Sequence, residues 1–341
     1  MRDMLSRARR ATTGSPAFVL FLLAPAVGEL LSGHSPPSEF FSPLTLALQT
    51  LLYGGGAVLV REAAVRWGKG WGTILLLGLA YGIVEEGLMV KSFFDPTWGE
   101  LGPLSGYGRW AGVNWVWGLH LVLFHAAFSI AIPILLVELI FSDRRSESWV
   151  SSRNLAITGI LFAGVCAIGF LFMTPYRPPM TVYTAAAAVT IALILLARRL
   201  PVLRPVAATR SPARSIWFAV IGFVWTVGLF MLVWQLPTVG VPAAVTVALV
   251  VALTILCAWA IWRLSGRARA WSDAHRLALA AGALAFFILF AALQELEPPE
   301  PANTSGMAVV GAAGAVMIAW LACRVRRRDT AGRQPARSST G

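Results

Sequence analysis

The chain is divided into apolar runs of about 20 residues, the length a helix needs to cross the hydrocarbon core of a bilayer. About ten such runs stand out, at residues 16–33, 43–65, 71–91, 113–140, 154–174, 181–199, 215–236, 241–263, 276–296 and 306–323. No stretch between them is long enough for a separate water-soluble domain. With 57% of residues hydrophobic and 13% charged, a water-soluble core is excluded. The sequence therefore predicts an all-α fold, a polytopic transmembrane helix bundle of about ten spans.

The formal charge of +12 would suit a nucleic-acid partner, but its distribution argues otherwise. Basic residues fill alternate loops: Arg2, Arg7, Arg9 and Arg10; Arg66 and Lys69; Arg144, Arg145 and Arg153; and Arg198, Arg199, Arg204, Arg210 and Arg214. The series continues with Arg263, Arg267, Arg269 and Arg276, and then Arg324, Arg326, Arg327, Arg328, Arg333 and Arg337. The intervening loops hold Lys91, Arg109 and Arg177. This is the positive-inside pattern, and it predicts both termini in the cytoplasm. The implied partners are the lipid bilayer and, at the basic loops, anionic headgroups, with no nucleic acid. Arg-rich, Ala-rich usage points to a bacterial inner membrane. The basic start and the Ala24-Pro-Ala26 triplet resemble a signal peptide, but the apolar run continues to Leu31, so a retained first span is expected.

Four regions follow: a basic N-terminus at 1–15, a membrane half with polar groups at 16–140, an apolar membrane half at 141–323, and a basic disordered tail at 324–341. The apolar half reads as scaffold or as the surface of a homo-oligomer. Cys166, Cys257 and Cys323 fall within or at the ends of spans and read as small buried hydrophobes.

Function concentrates in the polar half. Glu85 and Glu86 interrupt the third run, where ionisable groups are costly and mark functional sites by default. Gly78 and Gly82 precede Glu86 at steps of four, a smooth ridge for a neighbouring helix. Glu85 is expected about 100° round from Glu86, with different neighbours. His120 and His125 lie in the fourth run, about 140° apart on a regular helix. Asn114 and Ser129 share the face of His125, and Pro133 predicts a kink by freeing the Ser129 carbonyl. Glu29 lies about 6 Å below the outer end of the first run, and Gln49 and Tyr53 lie in the second beside Gly54-Gly-Gly56. Arg61 and Glu62, near the inner end, read as snorkelling and local pairing. Measured from the outer boundary, Glu85 and Glu86 lie about 8–9 Å down, Gln49 about 9 Å, His120 about 10 Å and His125 about 18 Å. A shared wet cavity is expected beneath the 92–112 loop, which holds Asp95 and Arg109 and reads as a lid or as an interfacial segment anchored by Trp98 and Trp110.

Three chemistries use such a set. Carboxylates and imidazoles ligate zinc or another divalent metal, and a carboxylate activates water for hydrolysis. The same groups relay protons or cations in a transporter, although the apolar half lacks the polar groups an inverted repeat would place there. They also pair with each other and with Lys91 or Arg109, as buried ion pairs that fix helix register.

Adjacent glutamates in one span followed by intramembrane histidines resemble the CPBP intramembrane endopeptidases, the CAAX-protease and bacteriocin-processing group. That resemblance implies a metallo-endopeptidase with Glu85 and Glu86 catalytic and His120, His125 and Glu86 at the metal. Glu29, Gln49, Lys91, Asp95, Arg109, Asn114 and Ser129 are the expected supporting or binding residues, and the substrate is open. The block from Glu85 to Pro96, with Tyr107-Gly-Arg and Gly112-Val-Asn-Trp-Val-Trp117, is similar to uncharacterised polytopic membrane proteins.

Overall fold

A computed structural model describes residues 15–202, 212–265, 272–296 and 303–331. Arg2, Arg7, Arg9, Arg10, Arg204, Arg210, Arg267, Arg269, Arg333 and Arg337, with the part of the tail from 332 onward, lie outside the described residues.

The apolar runs fold as helices. They are α1 (Pro16–Leu30), α2 (Pro43–Arg66), α3 (Trp71–Met89), α4 (Trp115–Ile140), α5 (Ser152–Phe172), α6 (Met180–Arg199), α7 (Ser215–Gln235), α8 (Ala243–Leu264), α9 (Asp273–Leu296) and α10 (Met307–Ala331). All but α1 are long and apolar enough to cross a membrane. At 1.5 Å per residue α1 reaches only about 22 Å, against a hydrocarbon core of about 30 Å. The expected first span to residue 33 is cut short because the chain turns after Leu30, with Gly33 at φ 82°.

Local chemistry sets the starts. Ser15-Pro16 and Ser42-Pro43 each place a capping hydroxyl before a proline that has no N–H to leave unsatisfied. Asn114 caps α4 by accepting from Trp117 N at 3.0 Å. Helix α10 runs on to Ala331 through Arg324–Arg328, where a disordered tail is expected from residue 324.

Chain contacts divide the molecule into two compact units. Among the described residues the first takes in 15–29 and 39–202, and so holds α1 to α6; the second takes in 30–38 and those from 212 to 331, with α7 to α10. The contact boundary thus falls after α6, whereas polarity alone suggests one near residue 140. Within the first unit α4 is central: 83% of its apolar window is buried, against 11% for α5 and for α6. Gly78 and Gly82 of α3 pack on α4 as the ridge predicts, with a Cβ at Gly82 falling 3.0 Å from Val122 Cα and one at Gly78 3.1 Å from Ala126 Cα. In the second unit, Gly222 of α7 and Gly282 of α9 lie directly on each other's helix backbone.

Between α3 and α4 lies a two-stranded hairpin, β1 (Arg109–Trp110) and β2 (Val113–Asn114). Its turn residues Ala111 and Gly112 both have positive φ, at 52° and 79°, the hand a two-residue hairpin needs.

Arg61 and Glu62 pair locally as expected but do not snorkel. Both side chains are completely buried and bonded to each other at 2.7 Å. Arg61 lies beneath the segment joining α4 to α5, donating to the carbonyls of Glu147 and Arg145 at 2.6 and 2.8 Å, with its guanidinium 3.5 Å from the Trp149 ring centre.

Candidate functional site

Four helices of the first unit widen locally into a π turn, at Ala26–Leu30, Thr50–Gly54, Ile83–Met89 and His125–Ala131. Among the described residues every π turn carries part of one polar region: Glu29, Tyr53, Glu85 with Glu86, and His125 with Ser129. A π turn holds one residue more than an α turn and appears frequently at functional sites. The kink expected from Pro133 takes this form, since the widened turn ends at Ala131, two residues before the proline that lacks an N–H.

The widened turn in α3 changes how the carboxylates point. Rather than meeting different neighbours, both reach the same imidazole. His125 Nδ1 lies 3.2 Å from Glu85 Oε2, and Nε2 lies 3.1 Å from Glu86 Oε1. Ser129 Oγ is 3.0 Å from Nδ1. The Ser92 hydroxyl donates to Glu86 Oε2 and in turn accepts from Trp117 Nε1 at 3.0 Å. Rings of Phe124, Tyr53 and Tyr81 surround the imidazole, with centroids 5.2, 6.0 and 6.2 Å away. Small residues make this packing fit: Gly28 lies against Ser129 Oγ and the Tyr53 ring, Gly82 against His125 Cβ, and Gly56 in direct contact with the Tyr81 ring.

Glu85 and His125 are buried, and Glu86, with 13% of its side chain exposed, is the more open carboxylate. One donor atom from each of Glu85, Glu86 and His125 lies within 4.8 Å of the others, the spacing of ligands around a single cation. The charge balance agrees. Two buried carboxylates against one imidazole leave net negative charge even when the ring is protonated, and burial then requires a proton or a bound cation.

The remaining predicted residues divide into two groups. Glu29 stays near the site: its Oε1 accepts from Tyr53 OH at 2.6 Å and its Oε2 from Gln49 Nε2 at 3.4 Å. Tyr53 thereby links this pair to the imidazole. His120 lies elsewhere on α4, between the rings of Trp117 and Phe124, and is not part of the Glu85, Glu86 and His125 cluster.

The other group folds the 92–112 segment. Lys91, at φ 66°, donates to the carbonyls of Phe170 and Thr174 at 2.6 and 3.2 Å, closing the end of α5. Arg109 donates to the carbonyls of Phe94 and Asp95 at 2.8 and 3.2 Å, and Asn114 to that of Leu104 at 2.7 Å. Asp95 accepts from Thr97 N and Oγ1 at 2.9 and 2.7 Å and from Thr174 Oγ1 at 2.8 Å. Burial alone would raise the Asp95 carboxyl, but these bonds and the nearby Arg109 charge hold it below its ordinary value. Burial and then the Arg177 charge lower the Lys91 ammonium, with Asp95 opposing them. Neither Lys91 nor Arg109 pairs with Glu85 or Glu86, so of the expected register-fixing pairs it is those of the two carboxylates with His125 that form. With Leu101 and Leu104 fully buried, the segment is a folded cover whose Ser92 reaches the site.

Sequence reasoning missed Ser92, Tyr81 and Trp117 as site residues. Tyr81 and Trp117 carry no signal in an aromatic-rich span. Ser92 has one weak signal, its place just beyond the carboxylates.

Fold and site together define a multi-pass integral membrane protein with a buried Glu/His centre. The chain belongs to an uncharacterized membrane protein family, whose model matches residues 18–334. No curated protein and no solved structure matches it.

Proposed function

We propose that Glu85, Glu86 and His125 hold a divalent metal ion, zinc by donor chemistry, and that the protein is a metal-dependent hydrolase of the bacterial inner membrane. The observation carrying this reading is the convergence of the three donors within 4.8 Å in a buried site. Two carboxylates and one imidazole are the ligand number of catalytic zinc sites, which keep a further position for water. Ser129 on Nδ1 and Ser92 on Glu86 supply the outer hydrogen bonds that orient such ligands. The resemblance of the glutamate pair and following histidine to CPBP endopeptidases supports hydrolysis of a peptide bond as the reaction class. Metal analysis of the detergent-purified protein is the test. Stoichiometric zinc that disappears in a folded Glu85→Ala/Glu86→Ala variant is the expected result. Absence of metal after loading with zinc, manganese and cobalt would refute it.

A second reading has its own observation: each ring nitrogen faces a different carboxylate, the geometry of a proton relay from the more open Glu86 to the buried Glu85. It requires proton flux in proteoliposomes that Glu85→Gln abolishes. Metal-independent flux would favour it over the hydrolase.

A further inference from the structure

A groove of about 410 Å³ opens on the face formed by α2, α3, α5 and α6. Its walls are apolar, with Leu59, Ala63, Leu77, Phe162 and Ile194 among them. Arg66 and Trp67 stand at one end, Gly56 and Tyr81 at the other. From Trp67 to Gly56 along α2 is about 16 Å, close to half a hydrocarbon core of about 30 Å. The groove therefore runs the depth of one leaflet, the one on the basic side of the spans.

The basic end is cationic. Arg66 is bonded to Glu62 at 3.2 Å, Ser152 Oγ at 3.0 Å and the Val150 carbonyl at 2.6 Å, yet its side chain remains 28% exposed. Arg198 lies over the Trp67 ring at 5.9 Å, and Lys69 donates to the Leu200 carbonyl at 2.5 Å. The carboxylate bonded to Arg66, Glu62, is shared with the buried Arg61. At the far end Tyr81 is buried, and its ring lies 6.2 Å from that of His125.

We propose that this groove binds one acyl chain of an anionic phospholipid, with the headgroup at Arg66, Lys69 and Arg198 and the chain end against Tyr81. An extended peptide would bring backbone polar groups that these walls cannot satisfy. A hydrocarbon chain with a negative head meets both the apolar walls and the basic end. Through Tyr81 the bound chain touches the shell of the Glu/His centre, so a lipid occupant holds that ring against His125. The proposal stands whether or not the centre binds metal.

The experiment uses the full chain in proteoliposomes containing phosphatidylglycerol with a photoreactive group at the chain terminus. Irradiation and peptide mapping are expected to label the groove around Tyr81, Val84 and Gly56. Phosphatidylcholine carrying the same group should label it several-fold less. Arg66→Gln should lower labelling about fivefold, the effect of one basic residue near an anionic headgroup. Ala63→Trp should remove it, while Leu75→Trp, on an exposed part of α3, should not. Even labelling of lipid-facing positions such as Ile160 and Phe172, or equal labelling by the two lipids, would overturn the proposal. Both readouts use the parent protein and decide the matter even where Ala63→Trp fails to fold.

Discussion

Ser129 touches no substrate in either functional reading, yet its hydroxyl fixes one nitrogen of the central imidazole. Removing such an outer hydrogen bond costs about 10–100-fold in metal affinity in known sites. Ser129→Ala should therefore weaken zinc binding by about that factor while leaving the melting temperature almost unchanged, as read by metal titration beside thermal unfolding. An unchanged affinity would exclude His125 Nδ1 as the oriented nitrogen. Glu85, Glu86 and His125 were legible because ionisable groups inside apolar runs are expensive enough to need a reason. The choice of His125 over His120 was not, since it depends on how α4 is rotated toward α3. Nor was the convergence of both carboxylates on one ring, because π hydrogen bonding leaves no residue signature comparable to a proline or a cap. Asp95 illustrates the same limit: it reads as a site residue but fastens the cover. Its depressed pKa means that its contribution to stability is complete above the ordinary aspartate value and is lost as pH falls through the lower folded value. Acid unfolding of Asp95→Asn in detergent should accordingly lack part of the parent's loss of stability in that acidic window, with no difference in slope near neutrality.

Among the elements, the contact of α3 with α4 decides whether the site assembles. Gly82 leaves 3.0 Å to Val122 Cα and 3.4 Å to His125 Cβ for any added Cβ, so the helices stay close only with a small residue there. Gly82→Leu should cost about 1–3 kcal/mol by overpacking and should separate the carboxylates from His125. Its signature is loss of metal binding out of proportion to the loss of stability, measured on protein that remains helical by circular dichroism. The ridge was readable because Gly78, Gly82 and Glu86 repeat every four residues. The hairpin was not, since Arg109 to Asn114 has no alternating pattern and its turn begins with alanine. Ala111 sits at φ 52°, where a Cβ costs about 1–2 kcal/mol, while glycine gives back about 0.5–1 kcal/mol through the unfolded chain. Ala111→Gly should therefore raise stability by roughly 0.5 kcal/mol, and a melting temperature below the parent's would show that the turn is not strained.

For the molecule as a whole, the fold class and the approximate spans followed from apolar run length alone. Which helices share a unit did not, because α5 and α6 are as apolar as α7 to α10 and differ only in what they pack against. Arg61 and Glu62 were legible only in part: position near a span end suggests snorkelling and local pairing, and the pair forms, but it is completely buried and ties α2 to the segment before α5. Glu62 also accepts from Trp149 N at 2.8 Å, so both side chains hold the same link. Taking away one member of a buried pair costs about 3–5 kcal/mol where the other charge is left uncompensated; Glu62 keeps its bond to the partly exposed Arg66 at 3.2 Å, which places the cost at the lower end of that range. Arg61→Met should lower unfolding stability in detergent by that amount. Arg61→Met/Glu62→Gln, which keeps an acceptor for Trp149 and removes the stranded charge, should recover a substantial part of it. The coupling is the departure of the double variant from the sum of the single ones. If the two losses simply add, the pair is not the link, and the bonds from Arg61 to the carbonyls of Arg145 and Glu147 hold the segment by themselves.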